Sequence, residues 1–93
     1  MKKIISWFKK LNQMTKEQIT EDILIKMFRF GLYLQENKNI DGFMIDYSQS
    51  DYSFSIMIDI GAKTIPFNWL PKEKKSKNMK QFFDEIENYI NQN

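Results

Sequence analysis

From Tyr52 to Ile60 apolar residues recur at every second position. Tyr52, Phe54, Ile56, Ile58 and Ile60 take one side of an extended strand, and Ser53, Ser55, Met57 and Asp59 take the other. Gly61-Ala62 follows, a two-residue loop with Gly first, which is the type II′ hairpin signature. That loop dictates a register in which Ile60 opposes Lys63, Ile58 opposes Ile65, Ile56 opposes Phe67 and Phe54 opposes Trp69. Every apolar residue meets another except at the rim, where Lys63 reaches water. Residues 43–47 alternate in the same phase. A four-residue loop, Ser48-Gln49-Ser50-Asp51, places Tyr47 against Tyr52, Ile45 against Phe54 and Phe43 against Ile56. The pattern therefore predicts a β-meander within residues 42–69. Pro66 lacks an N–H, so the third strand must be an edge strand.

Helical spacing governs the rest of the chain. Thr15 and Gln18 fit a capping box that opens a long helix over residues 15–38. Ile19, Ile23, Met27, Phe30 and Leu34 mark its main apolar face, with Leu24 and Gly31 beside them. Ile25, Phe28 and Leu32 form a second, narrower stripe. A helix with two apolar stripes is expected to bury both. Residues 1–14 predict a short amphipathic helix and a break, with Ile4, Phe8 and Leu11 at helical spacing. Folded back, residues 4–11 would cover the second stripe; otherwise that stripe would meet a partner, for example as a homodimer contact through Ile25, Phe28 and Leu32. A last helix is expected within residues 72–91. There Met79, Phe82, Phe83, Ile86 and Ile90 form a stripe, and Asn78 and Gln81 fit a second capping box. The expected fold is α+β, a single domain over residues 1–93. Its three-stranded antiparallel meander carries helices on one face, in the order α-α-β-β-β-α.

Composition narrows the chemistry. The 93 residues contain no Cys and no His, which removes thiolate nucleophiles, disulfides, imidazole bases and zinc sites of the usual ligand type. Three glycines cannot build a Gly-rich phosphate cradle. No catalytic, metal or cofactor residues are assigned, and a non-enzymatic protein is expected. The N-terminus starts like a signal peptide, yet only five uncharged residues separate Lys3 from Lys9. No apolar run approaches a membrane span, and the expected location is the cytoplasm. Thirteen of the fourteen basic residues are Lys, and Ile, Lys and Asn supply 34 positions. This is the usage of AT-rich coding, and it points to a low-GC bacterium or its phage or plasmid.

Three surfaces are candidate sites. The sheet face away from the helices, with Met44, Asp46, Ser53, Ser55, Met57, Asp59 and Asn68, is expected to lie open and to suit an adaptable protein contact. Asp46 and Asp59 fall towards opposite ends of the strands and do not form a carboxylate dyad. Lys72, Lys74, Lys75, Lys77 and Lys80 crowd the start of the last helix, where the helix dipole also favours anions. Without Arg, such a cluster would bind nucleic acid through phosphate, nonspecifically and with strong salt dependence. Residues 1–12 have the composition of an interfacial membrane helix, but packing on the second stripe accounts for the same side chains. Charge is segregated: +5 over residues 1–16, −5 over 17–62 and +2 over 63–93. The expected function is that of a small interaction protein, such as an inhibitor, immunity or accessory protein of a phage or mobile element. It would bind a protein partner through the open sheet face or charged surfaces. Nonspecific nucleic-acid binding and peripheral membrane attachment are the alternatives.

Overall fold

Backbone hydrogen-bonding and apolar phase agree along most of the chain. The computed structural model describes residues 16–71 and 78–92. Helix α1 spans Lys16–Asn37; strands β1 (Gly42–Ser48), β2 (Ser53–Ile60) and β3 (Lys63–Trp69) follow; helix α2 spans Met79–Gln92. The fold is α+β, in the order α-β-β-β-α. The sheet is antiparallel with strand order β1-β2-β3. The helix expected within residues 1–14 lies outside the described residues.

The hairpin between β2 and β3 has the register that its loop dictates, from Ile60 opposite Lys63 to Phe54 opposite Trp69. Gly61 takes φ +60° while Ala62 keeps a negative φ, as a type II′ turn requires. Among the described residues β3 pairs with β2 alone, so Pro66 lies on an edge strand.

The hairpin between β1 and β2 differs from expectation. Tyr47 opposes Phe54, Ile45 opposes Ile56 and Phe43 opposes Ile58, a shift of two residues along β2. The loop is residues 49–52 instead of 48–51, β2 begins at Ser53, and Asp46 opposes Ser55 instead of Ser53. An even shift keeps every side chain on its original face, so apolar alternation cannot detect it. Asp41 gives a reason for the choice. In the expected register it would stand opposite Ile58, which is wholly buried. In the observed one it lies at the rim. Its N–H donates to the Asp59 carbonyl at 2.8 Å, and its carboxylate accepts the Gly61 N–H at 2.7 Å. The cost falls on Tyr52, a non-glycine residue at φ 53°. Its ring packs edge-on against Tyr47 and Phe54, at centroid distances of 6.1 and 5.6 Å.

Three rows of side chains cross the inner face: Phe43–Ile58–Ile65, Ile45–Ile56–Phe67 and Tyr47–Phe54–Trp69. Ile23, Met27, Phe30 and Leu34 of α1 and Phe82, Ile86 and Ile90 of α2 are buried with the sheet in one core. The two helices meet where Phe30 stacks on Phe83, 4.2 Å between centroids. α2 reaches β3 through Phe82 on Trp69 and Tyr89 on Phe67. Ile19, expected on the core face of α1, is exposed.

The ends of the helices follow local chemistry. Asn39, at φ 55°, turns the chain out of α1, a conformation that Asn adopts more readily than most residues. Ile40 then drops into the core, a buried residue that the periodicities do not reveal. At the start of α2, Gln81 N–H donates to Asn78 Oδ1 at 2.9 Å and Asn78 N–H donates to Gln81 Oε1 at 3.2 Å. This is the reciprocal capping box expected from the sequence, and it places the helix start after the lysine-rich run.

Candidate functional site

Alternation along three paired strands produces the first candidate surface. The observed register sets Met44 beside Met57 and Met57 beside Pro66, so an apolar row crosses the outer sheet face. Asp46, Ser55 and Asn68 form the row on one side of it. Gly42, Asp59 and Thr64 form the row on the other. Among the described residues no helix or loop covers this face. Met44 is 62% exposed, the most open of the large apolar residues described, and Asp46, Thr64, Pro66 and Asn68 are exposed as well. In the expected register Met44 would have faced Ser55. The apolar row therefore arises from the same two-residue shift that relocates Asp41.

The polar rim is partly ordered by its own contacts. Thr64 Oγ1 donates to Asp59 Oδ1 at 2.6 Å, which ties that carboxylate of β2 to its cross-strand neighbour on β3. Asp46 and Asp59 stand two rows apart with the methionines between them, so they share no ligand position. Among the described residues no three acidic, His or Cys side chains come together as a metal site.

A second surface lies on the helix side of the sheet. Ile25, Phe28 and Leu32, the second stripe of α1, are 42%, 52% and 44% exposed among the described residues, and residues 4–11, expected to cover them, lie outside those residues. Leu24 and these three residues face Ile45 and Tyr47 of β1 across an open groove of about 1220 Å³. Its rim is mainly acidic, with Glu17, Glu21 and Asp51 against Arg29. The Ser53 hydroxyl donates to Asp51 Oδ1 at 2.6 Å. That bond first, and the Ser48 hydroxyl second, hold the Asp51 carboxyl below its ordinary range. Asp51 therefore stays negative to lower pH than an isolated aspartate would. The sequence reveals the helix half of this groove but not the β1 half, because Ile45 and Tyr47 read there as ordinary core residues.

The third candidate is the lysine cluster before and within the start of α2. Lys72, Lys74, Lys75 and Lys77 lie outside the described residues, and Lys80 is exposed on the first turn of α2. Neither described helix is long and apolar enough to cross a membrane. Compared with protein-family models, curated proteins and solved structures, the chain matches none of them.

Proposed function

We propose that this protein acts by binding another protein through the outer face of its sheet, and not by catalysis. The Met44–Met57–Pro66 row between two polar rows supports this reading. Protein interfaces commonly join an apolar, water-excluding centre to a polar rim. Methionine suits such a centre because its unbranched, polarizable side chain adapts to the opposing surface. Asp46 and Asp59 on the flanking rows favour a partner with Lys or Arg around an apolar patch. The absence of His and Cys from the whole sequence leaves only carboxylates, amines and hydroxyls for acid–base or nucleophilic work. Size and codon-biased composition suit an inhibitor, immunity or accessory protein of a mobile element, a role that the neighbouring genes would test.

The binding test compares variants of the full chain immobilised in lysate of the source cells. A partner held by the wild-type chain should be lost on Met44→Lys and on Asp46→Lys. Both residues are exposed, so both variants should keep wild-type stability within about 0.5 kcal/mol. Phe28→Asp, in the groove, should retain the partner. Equal recovery with all three variants, or loss with Phe28→Asp alone, would contradict the assignment to the sheet face.

A further inference from the structure

The groove between α1 and β1 exposes Ile25, Phe28 and Leu32 together, three large apolar side chains on one stripe of the helix. We propose that its occupant is residues 4–11 of the same chain. The proposal is independent of the sheet-face reading, since the groove lies on the other side of the sheet.

Three observations support it. The first is where the described chain begins. α1 starts at Lys16, and Glu17, Thr20 and Glu21 line the groove within its first two turns. Residues 12–15 separate that point from the segment. Four residues span up to about 13 Å when extended, and αα-hairpins use connections of this length. The second is size. Eight residues at helical rise cover about 12 Å, the same length as the stretch of α1 from Glu21 to Phe28. The third is complementarity. Ile4, Phe8 and Leu11 recur at helical spacing, as do the apolar residues of the groove floor. Lys2, Lys3, Lys9 and Lys10, within or next to the segment, are opposite in charge to Glu17, Glu21 and Asp51 on the rim. Tethering also favours the chain's own segment over any external helix, because the local concentration of the tethered segment is high at every dilution.

Trp7 lies inside the proposed segment and gives a direct readout. The chain has one other tryptophan, Trp69, so the difference between wild type and Trp7→Phe isolates the Trp7 signal. In the full-length monomer, Trp7 emission should be blue-shifted and quenched by acrylamide several-fold less than in a free peptide of residues 1–12. Phe28→Asp and Leu32→Asp should each abolish that protection. Both positions are about half exposed, and an unchanged far-UV CD spectrum identifies the variants that keep the fold. Met44→Lys should leave Trp7 protected, which separates this proposal from the sheet-face reading. Quenching as free as in the peptide would overturn the proposal. So would protection that persists in both groove variants. Protection that appears only as concentration rises, together with a dimer mass, would also overturn it and make a second copy the occupant.

Discussion

Phe54→Ala is expected to lower the free energy of unfolding by about 3–5 kcal/mol. Phe54 is the centre of the Tyr47–Phe54–Trp69 row and is 1% exposed. Its ring centroid lies 4.8 Å from Tyr47, 5.6 Å from Tyr52 and 6.0 Å from Trp69. Removing the ring loses its burial and leaves a cavity among side chains that are themselves held by both hairpins. The Tyr52 ring would also lose its edge-on contact with Phe54. A domain of this size has about 5–14 kcal/mol in total, so the variant should be marginal at room temperature. A urea melt should show the midpoint falling sharply at nearly constant slope. A loss under about 1 kcal/mol would mean that this row is not packed as described.

Gly31→Val should be nearly as damaging, for the opposite reason. Gly31 is buried on α1, and a Cβ added there would meet three atoms of the Phe43 ring at 2.4–2.6 Å. The glycine is thus what allows the helix to approach β1. Phe43 cannot swing aside freely, because it opposes Ile58 in the sheet and packs against Phe28 at 5.7 Å. Alanine would gain about 1 kcal/mol of helix propensity over glycine. Overpacking costs about 1–3 kcal/mol, so Gly31→Ala should be mildly destabilising. Valine adds two further carbons with little propensity gain, and Gly31→Val should cost about 3 kcal/mol or more. Stabilisation by alanine, measured in the same urea melts, would show that α1 stands further from β1.

Some of this architecture is legible in the sequence because local chemistry leaves few choices. Gly61-Ala62 allows a two-residue loop, and that loop carries the whole register of β2 and β3. Asn78 and Gln81 mark the start of α2 through hydrogen bonds spanning three residues. The pairing of β1 with β2 is not legible in the same way. Two registers keep the same residues inside, and the choice depends on Asp41, which lies beyond the strand and across the sheet from the loop. Nothing in the local pattern shows that the Asp41 carboxylate accepts the Gly61 N–H. The candidate surface inherits this ambiguity. Its residues are readable one strand at a time, whereas the Met44–Met57 pair exists only in the observed register. The groove is harder still, because its floor combines the outer stripe of α1 with inward residues of β1, and no single periodicity joins them.

Burial alone separates the roles given to the two sheet faces, so solvent access to the methionine methyl groups is the most direct test. In a methyl-labelled sample, a soluble paramagnetic agent should broaden the Met44 and Met57 signals strongly. It should spare those of Ile56, Ile58 and Ile86, which are wholly buried. Protection of Met44 and Met57 in the monomer, equal to that of the three isoleucines, would show the outer face already covered and would contradict its assignment as the partner surface.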